Sequence, residues 1–323
     1  MTDALSNIVA LAGGVGGARL SDGLARLLGD RLTVIVNTGD DFEHLGLHIA
    51  PDLDTVMYTL AGLADPAQGW GLAGETWTFM EQLARLGGPS WFRLGDRDLA
   101  THALRTSRLA SGSTLSDITR ELCAALNVAA RVLPMSDDAV RTMVHSGAQT
   151  YAFQDYFVRL RCEVPLTAVT YRGAATARLN PAISAMQDAA APAAVIICPS
   201  NPYLSVAPIL AVPGLRDWLS SLGVPIVAVS PIVGGAAIKG PAAKIMRELG
   251  LQPSALAIAE HYHGLIDGLV IDACDAALRD AIEAGGTAVL VTQTVMRSTA
   301  DRAQLAQDCL GFAEALGLKK LRG

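Results

Sequence analysis

Long apolar runs are missing from this chain. Of its 323 residues 51% are hydrophobic, and the mean hydropathy is +0.34, but the excess is largely alanine. No uninterrupted apolar stretch reaches the roughly 20 residues that cross a bilayer, so a soluble protein with no membrane partner is expected. Basic residues are also scarce. Lys and Arg number 25 against 31 Asp and Glu, a formal charge of −6, with no basic run. That balance excludes broad attachment to nucleic-acid phosphates and leaves only small nucleotides as partners. The five cysteines (Cys123, Cys162, Cys198, Cys274 and Cys309) are odd in number, scattered and without a CxxC pair. They read as reduced thiols, which points to the cytoplasm. The N-terminus lacks the basic segment of a secretory signal, and the six histidines include no HExxH zinc motif.

Short β-branched runs are abundant. NIVALAGG, RLTVIVNTGDD, AAVIICPSNP, VPIVAVSPIVGG, GLVID and TAVLVTQT each end in turn-forming residues. They read as six buried parallel strands. Stretches with helical spacing separate them, at 18–28, 54–64, 75–86, 206–221, 241–250, 275–284 and 301–316. Strand–helix alternation of this kind predicts an α/β fold with a doubly wound, mainly parallel, Rossmann-like sheet. The alternation breaks between 91 and 180, where a helical region over about 98–128 precedes the strand-like YAFQDYFVRLRCEV and LTAVTYRG. We therefore expect a single unit over 1–323, with a core formed by 7–90 and 181–316 and an inserted α+β lid over 91–180.

Ligands of such sheets sit beyond the carboxyl ends of the strands, where the unusual polar residues of this chain are found. Gly13, Gly14, Gly16 and Gly17 follow the first strand and precede a helix. Missing Cβ atoms there let backbone N–H groups approach a phosphate, although a tight turn alone explains some of the glycines. The loop lacks the GK[ST] ending of a Walker motif and the third glycine of the dinucleotide fingerprint. Asp40, Asp41, Asp52 and Asp54 lie within fifteen residues at the end of the second strand. Such a set suits Mg²⁺ shared with substrate phosphates, and at least one of the four is expected to be a helix cap. In WFRLGDRDLATH, Arg93 or Arg97 either neutralises a substrate anion or belongs to a surface ion-pair cluster with Asp98 as a cap. Ser200, Asn201, Ser230 and Gly234 stand at later strand ends and suit either nucleotide recognition or ordinary Asx and Ser turns. Lys239 is a further possible phosphate contact. Trp70 and Trp77 offer flat faces to a ring, or are simply core.

AGGVGGAR, NTGDD, HIAPDLDTVMYTL, LGDRDLATH, VLPMSDD, FQDYFVR, SNPYLSV and SPIVGG follow one another in the chain. The series resembles the 2-phospho-L-lactate transferase family from about residue 7 to 316. The resemblance implies transfer of a phosphorylated three-carbon acid from a guanosine-diphospho intermediate to the hydroxyl of the deazaflavin Fo. That acid is 2-phospho-L-lactate, phosphoenolpyruvate or 3-phosphoglycerate. GMP leaves, F420-0 or its dehydro form is the product, Mg²⁺ is the cofactor, and a homodimer is expected. Carried over by motif, Asp54 and Arg93 contact Fo, and we add Trp77 as a platform. Asp40 and Asp54 are assigned to catalysis, and Asp40, Asp41 and Asp54 to the metal. Gly13, Gly14, Gly16, Gly17, Ser200, Asn201, Ser230 and Gly234 are assigned to the nucleotide. Two other readings compete. One is a nucleotide-sugar-binding regulatory protein related to gluconeogenesis factors. The other is an NAD(P)-dependent oxidoreductase using Asp40 or Asp41 on a ribose.

Overall fold

Ile8–Ala12 (β1) is apolar at all five positions and buried at all five, which is what a strand covered on both faces requires. In the computed structural model, which describes residues 7–320, β1 is a central strand of the main sheet. The two ends of the expected 1–323 unit, with most of the N-terminal stretch read as non-secretory, lie outside the described residues. After β1 come α1 (Gly14–Leu28), β2 (Leu32–Val36), the hairpin β3 (Phe42–His44) and β4 (Leu47–Ile49), and α2 (Pro51–Leu60). Three helices follow: α3 (Thr78–Arg85), α4 (Asp98–Ala110) and α5 (Leu115–Ala125). Next are β5 (Arg131–Pro134), β6 (Arg141–Ser146), β7 (Gln149–Ala152), β8 (Ala168–Arg172), α6 (Pro181–Gln187) and β9 (Ala194–Ile197). The chain continues through α7 (Ala207–Leu210), α8 (Leu215–Ser221), β10 (Ile226–Val229), β11 (Ile232–Val233), β12 (Ala236–Ala237), α9 (Ala242–Glu248) and α10 (Ala255–His261). It ends in β13 (Gly268–Asp272), α11 (Arg279–Ala284), β14 (Ala288–Thr292) and α12 (Thr299–Lys320).

The main sheet has seven strands in the order β14-β13-β10-β9-β1-β2-β5, all parallel. This is the expected α/β, doubly wound architecture. Ile8, Val9 and Leu11 are wholly buried, each stabilising the fold by roughly 1.5–3 kcal/mol. Strand order reverses on either side of β1, with β2 to one side and β9 to the other. The crevice beyond their carboxyl ends is thus the switch point where such sheets bind ligands. No described helix is long and apolar enough to cross a membrane.

Two expectations need correction. The 91–180 segment does not stand apart as one insertion. Its strand β5 pairs with β2, Thr33 opposite Arg131 through Val36 opposite Pro134, and supplies the seventh strand of the main sheet. The separate layer within it is the antiparallel sheet β7-β6-β8. In addition, the strand-like YAFQDYFVR extends only to Ala152, after which Asp155–Arg159 winds into a wide helical turn. That turn brings Phe153 and Phe157 into a stacked pair with centroids 5.3 Å apart.

Candidate active site

A cleft of about 540 Å³ opens at the switch point. Its walls come from Gly13 and the glycine-rich first turn of α1, the start of α2, the loop before α4, the 153–158 turn and the loops after β9, β10 and β14. Gly16 is held tightly there, because a Cβ would run into the carbonyl oxygen of Pro199. The first turn of α1 and the loop after β9 therefore touch backbone to backbone.

Asp52 and Asp54 both belong to the first turn of α2. Two helical positions amount to a rotation of about 200°, so the two carboxylates leave the helix in nearly opposite directions. Asp52 turns to the glycine loop, where Oδ1 accepts from the Gly14 N–H at 2.7 Å and Oδ2 from the Asn37 amide at 2.9 Å. A carboxylate at a helix N-terminus is favourably placed, yet burial raises its pKa to about 6. Asp40 lines the same part of the cleft. Burial and the nearby Asp52 charge hold its carboxyl well above the usual carboxylate range, and Oδ1 has no protein partner. Asp40 and Asp52 thus form a buried pair of hard oxygen donors, and no cationic side chain among the described residues is paired with either.

Asp54 turns the other way, to α4. Arg105 donates to it twice, from NH1 at 3.1 Å and through a close NH2 contact. His102 Nδ1 lies 3.6 Å from Asp54 Oδ2, His102 Nε2 lies 3.3 Å from Asp98 Oδ2, and Tyr58 donates to Asp98 Oδ1 at 2.6 Å. Asp98, His102 and Arg105 recur at i, i+4 and i+7, which puts them on one face of α4. All three are buried. Asp54, Asp98 and His102 each offer a ligand atom within 4.8 Å of the others. The guanidinium already on Asp54 occupies the place of a cation and disfavours a second one.

The metal set Asp40, Asp41 and Asp54 is therefore not brought together. Asp41 pairs with His48 at 3.1 Å and does not line the cleft, while Asp54 is neutralised by Arg105. The oxygen ligands that fit a divalent cation are Asp40 and Asp52, matching the habit of Mg²⁺ of taking one or two carboxylates and completing its shell with phosphate oxygens and water.

Arg93 lines the cleft, with its guanidinium stacked 3.9 Å over the Trp77 ring. Trp77 itself stands behind Arg93 rather than in the wall; Trp70, Trp91 and Phe92 supply aromatic surface there. Trp91 and Phe92 belong to a ring cluster with Phe42 and His44. Arg97 is turned away, bonding the Ala73 carbonyl at 2.7 Å. Asp98 is not the cap of α4, since Glu75 accepts from the N–H groups of Arg97 and Asp98.

Gly13, Gly14, Gly16, Ser200, Asn201 and Ser230 line the cleft, whereas Gly17 and Gly234 do not. Gly17 packs against the Ser200 hydroxyl, and the Gly234 N–H bonds Asp275. Asn201 caps the turn that follows it by accepting from Tyr203 and Leu204, and the Ser230 hydroxyl closes a local turn with Ile232. Sequence reasoning overlooked Arg105 and His102, and it considered Asp52 only as one of four acids or a cap.

The model of the family 2-phospho-L-lactate transferase CofD matches residues 8–306, a span that contains every wall of this cleft. The chain belongs to that family. A phosphoenolpyruvate transferase from Streptomyces avermitilis is 46% identical over 314 residues, covering 95% of this chain and 98% of its own. A second, from Mycolicibacterium smegmatis, is 38% identical over 321 residues, covering 92% and 97%. Among solved structures, a UPF0052 family member from Bacillus halodurans aligns over 94% of this chain and 99% of its own, with a TM-score of 0.61 and 15% identity. At that identity the likeness concerns the fold alone. The two aspartates of PDLDT, Asp52 and Asp54, both line the cleft within the matched span.

Proposed function

We propose that this chain moves a phosphorylated three-carbon acid from a guanosine-diphospho intermediate to the hydroxyl of Fo, releasing GMP in the biosynthesis of coenzyme F420. The relatives called phosphoenolpyruvate transferases favour the phosphoenolpyruvyl donor and the dehydro product. The observation that carries the reading is the opposite wiring of two neighbouring carboxylates on α2. One faces an uncompensated acidic partner under the glycine loop, and the other is fixed by a buried arginine.

Asp40 and Asp52 would hold Mg²⁺, which when bound spreads the diphosphate charge as a Lewis acid. The protein does the rest. The first turn of α1, beside Gly14, Val15 and Gly16, presents backbone dipoles to the donor phosphates. Asp54, pinned by Arg105, accepts a hydrogen bond from the attacking hydroxyl and aims it, so that less orientational freedom is lost at the reaction. Arg93 and the aromatic wall of Trp91 and Phe92 take the flat deazaflavin. The hydroxyl oxygen bonds to the donor phosphorus and GMP departs from the opposite side, leaving a phosphodiester. We extend the reading to a cytoplasmic homodimer.

The test is to incubate purified protein with Fo, Mg²⁺ and each guanylyl-activated acid in turn, following GMP and the coupled product by mass. Product with the phosphoenolpyruvyl donor supports the reading. No product with any donor overturns it.

A further inference from the structure

The ionic chain in the α2–α4 wall is more than a clamp. Arginine only donates, so the 3.3 Å contact from Arg105 NH1 to His102 Nδ1 requires a lone pair on Nδ1. The neutral ring then carries its hydrogen on Nε2, turned toward Asp98 Oδ2 at 3.3 Å. Nε2 does not meet the geometry of a hydrogen bond there and has no other partner. Asp98 is steadied in turn by the Tyr58 hydroxyl. A carboxylate close behind one imidazole nitrogen, with the lone pair of the other turned to Arg105 and Asp54, is similar to the arrangement that makes histidine a proton acceptor in acyl-transfer enzymes.

Charge counting agrees. With His102 neutral, Asp54, Asp98 and Arg105 sum to one net negative charge, and one added proton makes the cluster neutral. The charged and titratable groups facing His102 are Asp54 and Tyr58 from α2 and Asp98 and Arg105 from α4. Beyond Arg105 stand the His48 carbonyl and the Asp41 charge. A buried cluster lacking one proton is a poor structural device, because packed apolar residues of similar volume stabilise at least as well. It is well suited to taking up a single proton.

We propose that His102 Nδ1 is the terminal acceptor of the proton released by the attacking hydroxyl, with Asp54 as the bridge and Asp98 as the group that positions the ring. This rests on the transfer reaction proposed above. As the hydroxyl oxygen bonds to the donor phosphorus and the bond to GMP breaks with its electron pair, the hydroxyl proton passes along Asp54. It arrives at Nδ1, whose new N–H turns to Asp54 Oδ2, now 3.6 Å away. His102 then returns the proton to water after product leaves.

The experiment compares wild type, His102→Gln and Asp98→Asn in kcat and KM, with GDP affinity measured by calorimetry. His102→Gln is expected to drop kcat by about 10²-fold or more, with KM and GDP affinity unchanged. Asp98→Asn should lower kcat comparably by favouring the wrong tautomer. A His102→Gln enzyme with kcat within threefold of wild type, or one whose loss lies in KM alone, overturns the proposal. If the variant does not fold, ¹⁵N shifts of the His102 ring in wild type decide. Nδ1 unprotonated and Nε2 protonated at pH 8 supports the proposal, and the reverse tautomer overturns it. Failure of wild type to make product counts against the transfer reaction, whereas the ring tautomer speaks only to His102.

Discussion

Asp52 and Asp54 are the same residue type, two positions apart on one helix and almost equally buried, yet their surroundings are opposite. Asp54 has a guanidinium on both oxygens. Asp52 has two neutral donors, the Gly14 N–H and the Asn37 amide, and a neighbouring acid. Burial alone, then, does not assign a role to a carboxylate. The partner does, and one helical twist of the backbone chose the partner.

Removing the partner of Asp54 should have the largest effect. Arg105→Leu leaves a buried charge unpaired, which costs about 3–5 kcal/mol; urea unfolding at pH 7.5 measures it, and a loss under 1 kcal/mol would mean that water already compensates Asp54. Next is the pH dependence of the ligand-free protein. The Asp52 carboxyl is raised from 3.8 to about 6 on folding. Below the lower value both states are protonated, and between the two only the unfolded chain releases its proton. The Asp52 contribution to stability therefore falls as pH rises toward about 6 and is level above it. The loss is a few kcal/mol at most, because each tenfold gain in proton affinity on folding is worth ~1.4 kcal/mol. Asp52→Asn should flatten that slope and be more stable than wild type at pH 8, as followed by Tm across pH 4.5–8. An unchanged slope would place the dependence on other acids.

Asp54→Asn keeps the shape but loses the anion, and turnover should fall at least tenfold while the far-ultraviolet spectrum is retained. Unchanged turnover would remove Asp54 from the reaction. The smallest effect belongs to Trp77→Ala. It removes the ring under Arg93, worth about 0.5–1 kcal/mol for an exposed cation–π contact. KM for Fo should rise about two- to fivefold with kcat unchanged.

The strands were legible because runs such as IVALA and LTVIV are buried on both faces and carry no alternation to misread. RVLP was not, since a four-residue strand ending in proline has too little pattern, and only its pairing with β2 makes it one. The glycine loop and the acids of NTGDD and PDLDT announced a site by density. Which acid does what depended on contacts between α2 and α4, some fifty residues apart in the chain. One signal was available: Asp98, His102 and Arg105 form a polar stripe on a single face of α4. A stripe of that kind reads as solvated until the facing helix is known to carry Asp54 and Tyr58. Asn201 and Ser230 show the converse, with polar side chains at strand ends that shape turns by bonding to their own backbone.

The contact between Asp52 and the Gly14 N–H has a consequence for binding. In the ligand-free protein the start of α1 already holds an anion, supplied by its own chain. On the proposed reading, a nucleotide phosphate drawn to that helix start would meet a resident competitor whose grip would loosen when Asp52 is protonated or when its charge is shared with a metal. Phosphate affinity at the loop and proton affinity at Asp52 are then one equilibrium measured from two ends: acid or Mg²⁺ should tighten GDP binding, and GDP should raise the pH at which Asp52 titrates by the matching amount.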